Sequence, residues 1–180
     1  HMTRRSRAPK ASKATALSPE ASAAHAAARE AVAHLPPAKR GAYKLEKGDV
    51  VGALQDLTEA LVANPRDPYA LATRAGARRV LGDIKGAVED CDTALRLRPR
   101  YALAFGNRGA AKHAFGDYEA AELDLNEAIQ IDPQYATALA NRGVVRRMRG
   151  KHDQALRDLD RALAIDATNS LALANRGVVR

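Results

Sequence analysis

The sequence predicts an all-α fold, a solenoid of antiparallel helix pairs, and three observations predict it. The 180 residues include no Trp, two Phe and five Tyr. Ala is the dominant apolar residue, which suits closely packed helices better than sheets rich in Val, Ile, Thr and aromatics. Good helix formers dominate from about residue 19 onward. Finally, LANRGVVR stands at 139–146 and again at 173–180, an offset of 34 residues. A period of that size marks stacked units, none of which buries its own apolar face.

His1 and Met2 read as a cloning remnant and are set aside. Residues 1–17 form a basic flexible arm, in which Arg4, Arg5, Arg7, Lys10 and Lys13 meet no acid. Of the net charge of +8, residues 1–40 hold +6 and the remainder only +2. Three uses stay open for the arm: a solvated tail, a contact with nucleic acid or an anionic membrane, and docking on another copy. Its composition also resembles a transit peptide. Residues 18–36 predict an Ala-rich capping helix. It would start at the N-cap Ser18 with Pro19 and Glu20 in its first turn and stop at Pro36-Pro37.

The repeat occupies 37–180. Its units run about 34–67, 68–101, 102–135 and 136–169, followed by a partial unit, 170–180. Gly48, Gly82, Gly116 and Gly150 end each first helix, where a left-handed residue is needed. Asp49, Asp83 and Asp117 then cap the second helix, and Lys151 breaks that column. Ala53, Ala87, Ala121 and Ala155 are small contact sites, and Leu57, Cys91, Leu125 and Leu159 fill the space beside them. Pro65, Pro99 and Pro133 stop the second helices; Ala167 stands in that column, which predicts a looser turn.

A 34-residue helix–turn–helix with small residues and a closing proline at fixed columns resembles the tetratricopeptide-repeat family, over about four-fifths of the chain. The resemblance implies a right-handed superhelical solenoid and a protein–protein interaction role. One departure is consistent. The family's Trp and Tyr columns hold Pro37, Leu71, Phe105 and Leu139 in one place and Lys44, Arg78, Lys112 and Arg146 in the other. Aliphatic stems replacing rings predict thinner packing and a modestly stable array. The repeated LANRGVVR is then the first helix of a fifth unit. Leu171, Leu173, Val178 and Val179 along it point to a longer solenoid cut at Arg180, whose open end invites self-association.

No catalytic constellation is present: there is no phosphate loop, no metal-spaced His/Cys pair and no nucleophile elbow. The expectation is therefore no enzyme, no cofactor and no metal. Cys91 reads as a buried thiol, and Glu89, Asp90 and Asp92 as solvated surface. No apolar run reaches the length of a membrane span, and the cytoplasm is the expected compartment unless a signal or transit segment has been removed.

Each first helix presents a second stripe, such as Leu103, Gly106, Asn107, Ala110 and His113. In the family this stripe lines a concave groove that binds extended peptides. Carried over, it gives a small-residue floor with three ladders above it: Asn107, Asn141 and Asn175; Arg79, His113 and Arg147; Tyr69, Tyr101 and Tyr135. An Asn amide can grip a peptide N–H and C=O together, and the basic rungs favour an acidic client. The chaperone-tail carboxylate clamp is missing, because Ala72, Gly76, Gly106 and Ala110 stand at its positions. Arg40, Arg74, Arg108, Arg142 and Arg176 are matched by Asp56, Asp90, Asp124 and Asp158, a row of interhelical pairs each worth at most about 1 kcal/mol if partly exposed. The leading reading is an interaction scaffold holding an extended segment. The alternatives are a nucleic-acid or polyanion-binding repeat protein and an accessory fragment of a larger multidomain protein.

Overall fold

The computed structural model describes residues 32–179 together with Ser18, Ala23, Ala26, Ala27 and Glu30; the basic arm lies outside the described residues. The chain divides into two compact bodies, His1–His34 and Leu35–Arg180. In the first, Ala23, Ala26, Ala27, Glu30 and Val32 are helical and a turn follows at Ala33 and His34.

The second body is a succession of helices: α1 (Pro37–Glu46), α2 (Val50–Ala63), α3 (Pro68–Val80), α4 (Ile84–Leu97), α5 (Ala102–Phe115), α6 (Tyr118–Ile131), α7 (Ala136–Met148), α8 (His152–Ile165) and α9 (Ser170–Val179). Each first helix packs on the second helix of its own unit, and each second helix on the next first helix. First helices also pack on one another along the array (α1 on α3, α3 on α5, α5 on α7, α7 on α9), whereas second helices meet first helices instead of each other. The first helices therefore form the tighter, inner side of the stack.

Local chemistry fixes the turns. The first-helix ends carry Gly48, Gly82, Gly116 and Gly150 at φ of 83°, 85°, 94° and 73°, a region that costs an L side chain steric energy. Asp49, Asp83 and Asp117 accept hydrogen bonds from the amides of Gly52, Gly86 and Ala120 at the starts of α2, α4 and α6, which satisfies an otherwise orphaned donor. The turn at Ala167 is not looser. Asp166 takes the same extended conformation as Asp132, and its carboxylate accepts from the amide and the hydroxyl of Thr168. Asn64 and Asp132 accept from the amides of Arg66 and Gln134 in the same way, so this local turn holds the loop with or without proline.

The core is assembled from Ala and Leu columns. A Cβ on Gly41, Gly109 or Gly143 would lie 2.6–2.8 Å from Cγ of Leu57, Leu125 or Leu159, so the two helices of each of those units touch backbone to side chain. The unit of α3 and α4 differs. Ala75 stands in the glycine column and Cys91 in the leucine column, both buried in one small cluster with Ala87 and Ala111. A larger residue on one helix is matched by a smaller one on the other, conserving volume. Burial pushes the Cys91 thiol up to about 12, which leaves it protonated and unreactive at neutral pH.

Charge reinforces each helix pair. Arg74, Arg108 and Arg142 each bind Asp90, Asp124 and Asp158 through two hydrogen bonds of 2.7–2.9 Å. Arg40 binds Asp56 through one, of 2.9 Å. These aspartates keep only 4–6% exposure, so the pairs are buried and the value given for partly exposed ones does not apply; the solvated reading is corrected for Asp90, whereas the Asp92 side chain keeps 42% exposure. A second cation closes on each carboxylate: Lys44 at 2.7 Å, Arg78 at 3.0 Å, Lys112 at 2.7 Å and Arg146 at 2.8 Å. The column that lost its aromatic rings thus supplies charged head groups as well as aliphatic stems. Arg108 also reaches back to Asp92 at 2.6 Å, Arg142 to Asn126 at 2.9 Å and Arg176 to Asp160 at 2.6 Å, each in the preceding unit.

Lys151, which breaks the capping column, holds Glu122 across the junction at 2.9 Å, alongside Arg146 at 3.0 Å and Arg149. Burial raises the Glu122 carboxyl, and hydrogen bonds from Lys151, Arg146 and Arg149 outweigh it, bringing it to about 2.

Candidate peptide-binding face

The inner face is built by small residues at the first-helix seams. Gly76 on α3 lies under Leu45 of α1 and Asn107 of α5; a Cβ there would meet them at 3.4 and 3.6 Å. Above it opens a recess of about 320 Å³ lined by Leu45, Thr73, Gly76, Arg79, Val80, Leu103 and Asn107. Its walls are largely aliphatic, and its polar groups are the Asn107 amide, the Arg79 guanidinium and the Thr73 hydroxyl, which donates to the Tyr69 carbonyl. A second recess of about 350 Å³ lies at the loop edge, between Arg98, Arg100, Tyr101, Leu103, Ile131, Asp132 and Tyr135. A larger hollow, of about 680 Å³, sits at the turn edge of α4 and α5 around Ile84, Val88 and Phe115 and contains none of the predicted site residues.

The three ladders take different forms. The amides are not equal rungs. Asn107 donates its Nδ2 to the carbonyl of Ala72 at 2.7 Å, tying α5 to α3, and Asn175 donates to the carbonyl of Leu171 at 2.8 Å within its own helix. Among the described residues, Asn141 keeps its amide out of any hydrogen bond. The expected backbone grip is therefore reduced at Asn107 and Asn175, whose donors already have protein acceptors. Contacts between units and one turn back along a helix are cheaper to form than contacts to an external chain, since their partners are already in place.

The tyrosines grade from outside to inside. Tyr69 is exposed. Tyr101 lies under the Arg98 guanidinium, 4.6 Å from its ring centroid, an arrangement with cation–π character. Tyr135 lines the loop-edge recess and also packs inward, its ring edge occupying the space a Cβ on Gly106 would need, at 2.7 Å. Burial pushes its phenol up to about 12. The glycine at 106 and the tyrosine at 135 form one inter-unit contact, a relation spread over 29 residues that periodicity alone does not reveal.

The basic ladder comes together. His113 on α5 feels Arg79 from α3 and Arg147 from α7; burial first, then these two cations, hold its imidazole below the ordinary range. Its ring sits 5.7 Å from that of Tyr118. Among the described residues, four buried side-chain N or O atoms lack a hydrogen bond: Asp56 Oδ2, Arg79 Nε, Arg147 Nε and Arg176 Nε. The aspartate oxygen lies 2.7 Å from Lys44 Nζ and Arg176 Nε 2.6 Å from Asp160. That leaves Arg79 and Arg147 as the buried donors with no acidic partner. Burial pulls the Arg79 guanidinium down, with Tyr135 opposing. An arginine does not deprotonate in a protein, so the row carries uncompensated positive charge that an acceptor would stabilise.

Among the described residues no group of three or more His, Cys, Asp or Glu side chains could hold a metal ion. No helix there is long and apolar enough to cross a membrane.

Comparison with known proteins bears on this architecture. A family model described as tetratricopeptide repeat matches residues 102–135. No curated protein matches the sequence significantly. Among solved structures the chain is similar to TTC0263, a thermophilic TPR protein of Thermus thermophilus. The identity is 30% over 79% of this chain and 80% of that one, with a TM-score of 0.72. MamA matches at 26% identity over 77% of this chain and 81% of its own, with a TM-score of 0.60. The first TPR domain of Spaghetti (RPAP3), solved with the HSP90 peptide SRMEEVD, shares the fold at 21% identity over 62% and 89%, with a TM-score of 0.58. The 34-residue helix pairs, the left-handed glycine between them and these matches agree, and the chain belongs to the tetratricopeptide-repeat family.

Proposed function

We propose that this protein is an interaction scaffold whose inner face holds an extended, acidic segment of a partner protein. The observation that carries the reading is the unpartnered pair Arg79 and Arg147, with His113 between them, where the other buried ionic groups among the described residues are paired. The aliphatic recess at Gly76, next to Arg79, offers a place for an apolar side chain of the same segment. The solved complex of the RPAP3 domain with an acidic peptide supports peptide capture as a use of this fold. Exposed Leu171, Leu173 and Val178 on α9 support self-association as an additional contact.

The same row would attract phosphate, so nucleic acid is the competing ligand. The near-balanced charge of the array, +2 over residues 41–180, favours a protein. The test is capture of partners from source-cell lysate with and without nuclease, comparing wild type with the Arg79→Ala/Arg147→Ala variant. Protein partners that survive nuclease and disappear with the variant are the expected result. Partners lost to nuclease would replace this reading with polyanion binding. Partners retained by the variant would remove the row from the interface.

A further inference from the structure

Resting on the reading that the inner face takes an acidic segment, we infer that Arg79, His113 and Arg147 form one proton-coupled site. It takes two carboxylates of the same extended segment, about six residues apart, and His113 gains a proton as they bind.

The spacing follows from the stacking. The three side chains stand one unit apart on α3, α5 and α7, first helices that pack directly on one another. Packed helices lie roughly 10 Å apart and an extended chain advances about 3.3 Å per residue, so each unit matches about three residues and the two arginines about six. Each arginine has a buried Nε with no acceptor. A planar carboxylate is the acceptor that fits a guanidinium in plane, and it removes the cost of the unsatisfied donor.

The proton follows from what surrounds His113. It faces Arg79 from α3, Arg147 from α7 and the ring of Tyr118 from α6. Asp92 of α4 is held by Arg108, and Asp124 of α6 by Arg108 and Lys112. In the free protein the imidazole is therefore half-buried beside two cations and without an anion, and it stays neutral at pH 7. Two bound carboxylates cancel the field of those cations, and the imidazole then takes a proton from solvent. A group protonated more readily in the complex than in the free protein strengthens binding as pH falls through its titration and leaves affinity flat at higher pH.

The test uses the full chain and synthetic labelled 12-residue peptides of Ser and Ala carrying two Glu six apart, two Glu three apart, or two Gln six apart, followed by fluorescence anisotropy. The six-apart Glu peptide is expected to bind best. Its affinity should rise about threefold to tenfold from about pH 7.5 to about pH 5.5, where glutamates remain ionised. His113→Gln should flatten that profile while keeping the preference for Glu over Gln. The His113 imidazole signals in wild type, followed by NMR with and without peptide, should titrate at higher pH in the complex. If no Glu peptide binds above the Gln control, the acidic-segment reading fails and this inference with it. If Glu peptides bind without regard to spacing, or the imidazole titrates alike in both states, this inference alone is overturned.

Discussion

Arg74 and Arg79 lie five residues apart on α3, as Arg142 and Arg147 do on α7, and the members of each pair meet opposite surroundings. Arg74 and Arg142 turn toward the second helix of their own unit and bind Asp90 and Asp158 through paired hydrogen bonds. Arg79 and Arg147 turn toward the inner face and leave a buried Nε without an acceptor. The same side chain is structural in one column and available in the other. Five residues is about 1.4 helical turns, which places the two columns on different faces of the helix. On the proposed reading, the difference teaches that unneutralised charge, more than total charge, marks the surface that takes a partner.

The comparison breaks most readily at its neutralised side. Asp124→Ala removes the carboxylate shared by Arg108 and Lys112 and strands both cations, with an expected loss of about 3–5 kcal/mol in urea unfolding. A loss below about 1 kcal/mol would place this column among ordinary surface pairs. Acid should weaken the same side. The Glu122 carboxyl titrates lower in the folded protein than in the unfolded chain, so its contribution is full above about pH 4.5 and disappears as pH falls toward about 2. Glu122→Gln should lower stability at neutral pH and flatten the decline across that window, as read by melts at stepped pH.

At the available side the signs reverse. Arg79→Ala/Arg147→Ala should leave the melting temperature unchanged or slightly raised, since it removes two unsatisfied buried donors. Affinity for an acidic peptide should fall at least about tenfold, the scale of one lost charged hydrogen bond. A drop in stability with unaltered affinity would exchange the roles of the two columns. The smallest effect is expected at Asn107, whose bond to the Ala72 carbonyl joins two units. Asn107→Ala should cost about 1 kcal/mol and change affinity little; a large affinity loss at unchanged stability would restore the amide to the binding face.

Much of the fold was legible because the repeat writes each structural need several times over. The glycine turn, the Asp cap and the Arg–Asp spacing of 16 recur in register, so each column could be read against its copies. The site was legible as a face, since residue spacing on a helix determines which side chains share a stripe. What lay hidden were relations between units. Nothing in the spacing within a unit says that Asn107 reaches Ala72, that Tyr135 fills the space beside Gly106, or that Lys151 leaves its capping role for Glu122. These depend on how far a flexible side chain extends across a junction and on the packing distance there. The pairing of Ala75 with Cys91 was hidden differently: each looks like a small departure in its own column, and only their contact shows the exchange of volume. The Ala167 turn misled because these turns share a side-chain bond made one residue before the proline column, by Asn64, Asp132 or Asp166.

The backward reach of Arg108 and Arg142 bears on how such an array can be edited. Excising residues 102–135 would join the unit of α4 to that of α7 and bring Asp92 to the place now held by Asn126, so Arg142 would exchange an amide for a carboxylate and the splice would be stitched by charge. The same excision would bring Val88 to the place of Glu122, strand Arg149 and Lys151 beside an apolar side chain and leave Arg146 only Asp158. One bond is therefore transferable between neighbours and the other is private to a single seam. A gene that gains or loses units by recombination keeps the first at splices that follow the second, third or fourth unit, since Thr58 stands in that column of the first, but has to preserve the order of the third and fourth units to keep the second.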